Sequence, residues 1–222
     1  MALQWTVMNC CRPAHNADAE RFFSRSADRY RRRIEKKGLE PSSMMLAEAV
    51  RSAGIEGARV LEIGCGVGGL HQWLLQYGAA SAVGVDLSEE MLAAARALAR
   101  TRGMAGRTEY HRGDFIDLAG KIGAADVVVL DKVLCCTPEA MSLSSLSAAH
   151  ARRVYAFTVP RDRWLVRLGV AVLSLAMRLL RSSFRPYLHD FAAIEASLQA
   201  VGFERYDERR TFLWMMRAYR RR

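Results

Sequence analysis

One ten-residue stretch constrains this chain more than any other: Val60-Leu61-Glu62-Ile63-Gly64-Cys65-Gly66-Val67-Gly68-Gly69. An apolar run stops at a cluster of glycines. A second apolar run, Ala82-Val83-Gly84-Val85, stops at an acid, Asp86. The pattern predicts a buried strand, a tight turn, a helix, a second buried strand and a carboxylate at its end. Glycines at the turn accept φ > 0 and let backbone N–H groups approach a ligand. Asp86 lies 22 residues beyond Gly64, about where a nucleotide ribose is held. The stretch therefore predicts a nucleoside-containing cofactor at the top of a parallel sheet.

The glycines alone do not choose the cofactor. Gly64-x-Gly66-x-Gly68 and Gly64-x-Gly66-x-x-Gly69 are both present, so the dinucleotide fingerprint is formally satisfied. Glu62 argues against a dinucleotide: an anion at the strand end disfavours a pyrophosphate and suits a cationic amino-acid moiety. A further acid, Asp114, follows the short strand-like run Thr108-Glu109-Tyr110-His111. Glu62, Asp86 and Asp114 would stand at the carboxyl ends of three successive strands, where open α/β sheets bind ligands. Together they suit an amino group, a ribose diol and an adenine amine.

That set resembles the class I S-adenosylmethionine-dependent methyltransferases, over roughly residues 58 to 220. In that family the acid-Gly-x-Gly-x-Gly turn cradles the methionine end of the cofactor, the second acid binds the ribose hydroxyls and the third takes the adenine amine. The resemblance implies an α/β, Rossmann-like, doubly wound seven-stranded sheet, mostly parallel with an antiparallel last strand. It implies S-adenosyl-L-methionine as cofactor, held by Glu62, Gly64, Cys65, Gly66, Gly68, Asp86, Leu87, Met91, Gly113, Asp114, Phe115 and Leu130. Two other readings stand beside it: a nicotinamide enzyme, and a cofactor-binding partner protein without turnover.

The 222 residues suffice for one α/β domain. The expected parts are cap helices (1–54), a cofactor-binding core (55–160), a helical lid insertion over the active site (161–189) and a closing helix with strands (190–222). Thirty-three basic residues against 23 acidic ones give +10, concentrated in Arg21–Lys37, Arg178–Arg185 and Arg220–Arg222. Such charge attracts carboxylated substrates, phospholipid surfaces or nucleic acid, although a basic run is also an ordinary solvated face. Nucleic acid fits poorly, because few aromatics interleave with the basic run and no base-flipping motif follows the fourth strand. The first residues lack a signal-peptide pattern. Five cysteines without disulfide or zinc spacing point to a reducing cytoplasm and to no metal site.

Along the chain, Asp18 reads as the cap of a basic amphipathic helix ending near Gly38, and a second helix runs from about Ser43 to Ala53. Strands are expected at 59–63, 126–130 and 154–159, and two antiparallel strands within 203–219. Ser88 and Asp190 read as helix caps. Trp164, Leu165, Leu168, Val172, Leu175 and Leu179 mark one face of an inserted helix. That face reads either as a lid packing on the cleft or as a lid that also rests on an anionic membrane, placing the protein at the periphery of the inner membrane.

On the acceptor side the likeness narrows. Leu130-Asp131-Lys132-Val133-Leu134-Cys135-Cys136-Thr137-Pro138, Tyr187-Leu188-His189 and the Phe22-Phe23…Asp28-Arg29-Tyr30 region look like the magnesium-protoporphyrin O-methyltransferase group, which methylates a porphyrin propionate. Cys136-Thr137-Pro138 replaces that group's histidine before Tyr-Pro, and its tyrosine near Glu35 is absent. The residues still favour a small anionic acceptor, with Arg163, Arg167, Arg185, Tyr30 and Tyr187 as binding candidates and His189 as a base or donor. Cys135 and Cys136, joined by Cys10 and Cys11, support the other option, a thiol or metalloid acceptor.

Overall fold

The computed structural model describes residues 12–182 and 184–222. Five strands run parallel: β1 (Arg59–Ile63), β2 (Ser81–Asp86), β3 (Thr108–Arg112), β4 (Ala125–Asp131) and β5 (Ala151–Pro160). A hairpin of β6 (Phe203–Arg210) and β7 (Trp214–Arg221) completes the sheet, with β7 antiparallel to both its neighbours. The spatial order is β3-β2-β1-β4-β5-β7-β6. The helices are α1 (Arg12–Ser24), α2 (Ala27–Lys37), α3 (Pro41–Ser52), α4 (Gly69–Gln76), α5 (Glu89–Thr101), α6 (Phe115–Leu118), α7 (Ala140–Ala149), α8 (Trp164–Leu179) and α9 (Phe191–Ala200).

Strand side chains alternate between faces, so each strand feeds two cores. Leu61, Ile63, Val83, Val85, Val128 and Leu130 point to one face, and Val60, Ala82, Val127, Val129 and Ala156 to the other. Both faces are covered by helices, which is why β4 reads as a continuous apolar run. Val127, Val128, Val129 and Leu130 have no exposed surface. Each such side chain contributes about 1.5–3 kcal/mol through burial. From β1 the chain winds outward to β2 and β3, then returns to β4 on the other side. The order reverses between β1 and β4, and a crevice opens beyond their carboxyl ends.

The expected caps form: the Ser88 hydroxyl accepts from Met91 N–H, and Asp190 accepts from the N–H groups of Ala192 and Ala193. Three expectations are corrected. The basic N-terminal helix is two helices, and Asp18 lies inside α1 rather than capping it. They break after Ser24, the last residue of α1, whose hydroxyl meets Ser88 Oγ (2.8 Å) and Glu90 (2.6 Å). The next helix begins at Pro41, whose fixed φ suits a first helical position, and not at Ser43. The third correction concerns α8. Its Trp164-Leu168-Val172-Leu175-Leu179 stripe faces solvent, and the opposite side, with Val166, Val170 and Met177, is less exposed. The cleft is roofed by α1 and α2 instead.

Candidate active site

A cavity of about 290 Å³ lies beyond the carboxyl ends of β1, β2 and β4, under α1 and α2. Its volume is at the small end of the ~300–1,000 Å³ usual for small-molecule sites. Glu62, Gly64, Cys65, Gly66, Asp86, Leu87, Met91, Gly113, Asp114 and Phe115 line it, as does Tyr30. Leu130 is buried in the sheet and Gly68 caps α4, both behind the wall.

The glycine turn is built around left-handed backbone. Gly64 has φ +64°, and a Cβ there would lie 2.4 Å from Val133 Cγ2, so no other residue fits. Gly66 has φ +52°, and a Cβ on it would meet nothing within 4 Å. That open space lies on the cavity wall, which is the room a close ligand approach requires. Gly66 N–H donates to Asp86 Oδ2 (2.8 Å), and Ser88 N–H donates to Asp86 Oδ1 (2.9 Å). Burial pushes the Asp86 carboxyl up, and the N–H groups of Ser88, Gly66 and Leu87 oppose that rise. Cys65 fills the gap over Gly84; a Cβ on that glycine would lie 2.8 Å from the Cys65 sulfur. Burial also raises the Cys65 thiol well above its ordinary value, so it is an inert filler.

Glu62 is buried, and its Oε2 accepts from both the backbone N–H (3.1 Å) and Nδ1 (2.6 Å) of His71. His71 Nε2 lies 3.0 Å from the Tyr110 hydroxyl, which completes a chain across β1, α4 and β3. Burial raises the Glu62 carboxyl against these hydrogen bonds. His71 is thus a positioning residue for Glu62. The sequence signal was its place nine residues after Glu62, in the first turn of the helix behind the glycines. Asp114 caps α6 through Oδ1 (Ile116 N–H, 2.9 Å), and its Oδ2 accepts from Asn16 of α1 at 2.8 Å. Asp114 lines the cavity between Gly113 and Phe115. Three acids and an open glycine turn fit an amino-acid nucleoside.

The opposite wall holds residues that the sequence reading did not single out. Lys132 follows β4 with φ +61°, a strained conformation for a lysine. Its N–H donates to Thr158 Oγ1 (2.8 Å), and its ammonium donates to Glu40 (2.6 Å) and to Ser43 Oγ (3.2 Å). Asp131 accepts from Ser43 and Thr158 hydroxyls, both at 2.5 Å. Arg33 pairs with Glu40 at 2.9 Å. Burial alone would raise Glu40, but Lys132 and Arg33 outweigh it and hold the carboxyl low. Arg33, Glu40, Ser43, Asp131 and Lys132 all line the cavity. The positive φ at Lys132 has no signature in sequence, so only the fold shows where this lysine points.

The other acceptor candidates divide. Cys136 lines the cavity, whereas Cys135 lies behind it with its sulfur 3.8 Å from that of Cys136. The Cys136 contact and burial both push the Cys135 thiol well up. Cys10 and Cys11 lie outside the described residues. His189 is off the cavity wall; its Nε2–H donates to the Thr137 carbonyl (2.8 Å), and its ring stacks on Tyr187 at 5.6 Å. Tyr187 N–H donates to Cys135 O (2.8 Å), so His189 and Tyr187 fasten the 134–137 turn from outside. Arg185 is exposed, Arg163 stacks over Phe212 and Arg167 pairs with Asp162; none of the three reaches the cavity. No cluster of metal-ligating side chains occurs among the described residues.

Comparison with known proteins agrees with this geometry. Residues 60–153 match the family described as "Methyltransferase domain". The fold is similar to that of magnesium protoporphyrin IX methyltransferase from Synechocystis PCC 6803, crystallised with bound SAH. The TM-score is 0.71 at 24% identity, covering 94% of this chain and all of that one. A ubiquinone biosynthesis O-methyltransferase from Aromatoleum aromaticum is 30% identical over 142 residues, 62% of this chain and 59% of the relative. A ribosomal protein L11 methyltransferase from Edwardsiella ictaluri is 27% identical over 127 residues, 53% of this chain and 43% of the relative. The matched region spans between 24% and 59% of the length of such curated relatives. Residues 60–153 thus match a methyltransferase domain, and the fold that surrounds them is the one seen in S-adenosylmethionine-dependent methyltransferases.

Proposed function

We propose that this chain transfers a methyl group from S-adenosylmethionine to a carboxylate, or a similar oxygen, of a small anionic acceptor. The observation that carries the reading is the polarity of the cavity. Glu62, Asp86 and Asp114 stand on the wall made by β1, β2 and the turn after β3, and the facing wall carries the cations Lys132 and Arg33, which Glu40 and Asp131 hold in ion pairs. The acids would hold the amino group, ribose and adenine of the cofactor. When bound, the sulfonium supplies an electrophilic methyl group. An ionised carboxylate needs no base to attack it, only orientation and exclusion of water.

Lys132 provides that orientation. Its ammonium is already fixed by Glu40 and Ser43, with Glu40 shared by Arg33. An arriving carboxylate takes the place of Glu40 on Lys132, and Glu40 keeps Arg33. Charge-assisted hydrogen bonds of this kind hold an anion more firmly than neutral ones. The α1–α2 roof, with Phe23, Tyr30 and Ile34 on its cavity side, excludes water. Relatives with small-molecule names stand beside one named for a ribosomal protein, so it is the roofed cavity and not those names that supports a small acceptor.

Calorimetric titration with S-adenosylmethionine and, separately, NAD tests the cofactor half: micromolar binding of the first alone is expected. Transfer of labelled methyl to a panel of small carboxylic acids tests the acceptor half. Label appearing only on protein or RNA would overturn it.

A further inference from the structure

Helix α8 carries an exposed apolar surface that the proposed reaction does not use. Of its residues only Met177 is buried, and Val166, Val170 and Ser174 are half-buried. On the opposite side Trp164, Leu168, Val172, Leu175 and Leu179 form a stripe at helical spacing, with Trp164 71% and Leu179 77% exposed. Leu165, Leu173 and Leu180 widen it. The β6–β7 hairpin adds Phe212 and Leu213, both exposed. That hairpin is joined to the start of the helix: Arg163 lies over the Phe212 ring at 5.3 Å, and Arg161 N–H donates to Leu213 O at 2.8 Å. Soluble surfaces rarely leave so much contiguous apolar area in water, and such patches mark interaction sites.

The charge around the patch selects its partner. Residues 161–181 hold five arginines (161, 163, 167, 178 and 181) and one acid, Asp162, which Arg167 already engages through both oxygens. A second copy docked through the same face in antiparallel register would set Arg161 and Arg163 against Arg178 and Arg181, with no free acid to relieve them. A bilayer bearing anionic headgroups meets both features: arginines to phosphates and the apolar stripe to the acyl boundary. The helix cannot cross. At 1.5 Å per residue its 16 residues span about 24 Å, short of the ~30 Å hydrocarbon core. No helix among the described residues is long and apolar enough to cross a membrane.

We infer that α8, with the tip of the β6–β7 hairpin, is an in-plane docking surface for an anionic lipid bilayer. The inference stands apart from the methyl-transfer reading. Its cause is exposed surface, whatever the cavity binds. The C-terminal end of α8 runs into residues 184–189, where Phe184 packs on Phe22 and Phe23, and Tyr187 and His189 hold the 134–137 turn. The docking surface therefore adjoins the acceptor wall and the roof.

The test is co-sedimentation of the full chain with phosphatidylglycerol/phosphatidylcholine vesicles and with pure phosphatidylcholine vesicles, at low and high salt. Binding to the anionic vesicles is expected, weakened by salt. Leu168→Glu/Val172→Glu/Leu175→Glu should cut the bound fraction at least about tenfold, because it puts charge at the acyl boundary. Its affinity for S-adenosylmethionine and its melting temperature should match those of the parent, since all three side chains are exposed. Arg178→Gln/Arg181→Gln should reduce the salt-sensitive part. No sedimentation with anionic vesicles at low salt would overturn the inference. So would unaltered binding by the triple variant, or a dimer in light scattering that the triple variant dissolves.

Discussion

The turn after β1 and helix α8 are both rich in apolar residues, and they are opposites in what fixes them. In the turn three backbone N–H groups and the carboxylate of Glu62 have assigned partners inside the protein. Cys65 N–H donates to Val85 O, Gly66 N–H to Asp86 and Gly68 N–H to Cys65 O, and Glu62 accepts twice from His71. In α8 a single side chain is buried, and the charges at its start answer each other at the surface. The first region is determined from within, so its chemistry is fixed before any ligand arrives. The second is determined by what it meets. A cofactor common to a large family suits the first kind of site, and a variable acceptor or surface suits the second.

The largest effect expected from breaking this contrast lies at Asp86. Asp86→Ala removes the acceptor for Gly66 and Ser88 N–H and the carboxylate offered to the ribose. Hydrogen bonds to a charged group contribute about 1.5–3 kcal/mol each, so S-adenosylmethionine affinity should fall at least about 100-fold by calorimetry. Unchanged affinity would mean that the turn is scaffolding and that the cofactor assignment fails.

His71→Phe comes next. It leaves Glu62 buried with one backbone donor in place of two donors, a loss of about 1–3 kcal/mol. Thermal denaturation should show a melting point several degrees lower. The sign of the pH dependence follows from Glu62. Burial holds its carboxyl above the ordinary 4.5, so its contribution is present below that value and is lost as pH rises through the folded value. Without the Nδ1 partner the loss on raising pH should be larger in the variant than in the parent. Parallel stability curves would show that His71 does not serve Glu62.

The fold and the cofactor end were legible because strand periodicity, glycine spacing and acids at strand ends are local signals. Glu62 and Asp86 lie at the ends of apolar strands, Asp114 lies two residues past β3, and the sheet brings all three to one cavity. The acceptor end was less legible, because its residues meet only through tertiary packing. The arginines singled out there, Arg163, Arg167 and Arg185, look outward. The cations on the cavity wall, Arg33 and Lys132, come from α2 and from a left-handed residue after β4. Helical periodicity marked the α8 stripe correctly but carries no sign: it says that two faces differ, not which one meets the protein. The contacts of Ser24, at the end of α1, with Ser88 and Glu90 join residues 64 and 66 positions apart, which no local pattern announces.

Lys132→Met sharpens the contrast at the acceptor wall. It keeps the stem and removes the ammonium that Glu40 holds. For a carboxylate acceptor that turns over, KM should rise about tenfold, or about 1.4 kcal/mol, while the affinity for S-adenosylmethionine stays unchanged. An equal loss in cofactor affinity would mean that the two walls are one site. A KM unaffected by the substitution would remove Lys132 from acceptor binding.

The smallest effect is expected at His189, and it is the most discriminating. The Nε2–H of His189 is committed to the Thr137 carbonyl, and its ring lies against Tyr187, off the cavity wall. Burial pushes its pKa down, against the carbonyls of Thr137 and Leu134, so the imidazole is neutral near pH 7. A general base contributes about 100- to 10,000-fold, and its titration shapes the pH–rate profile. A residue that only fastens the 134–137 turn does neither. His189→Gln retains a donor for Thr137, so kcat should stay within about threefold and the profile from about pH 6 to 8 should keep its shape. His189→Ala loses the donor and should raise the acceptor KM through a loosened turn, again without a new limb in the profile. If His189→Gln instead lowers kcat a hundredfold and removes a limb, the histidine reaches the reacting atoms. The acceptor wall would then be as rigidly prepared from within as the glycine turn.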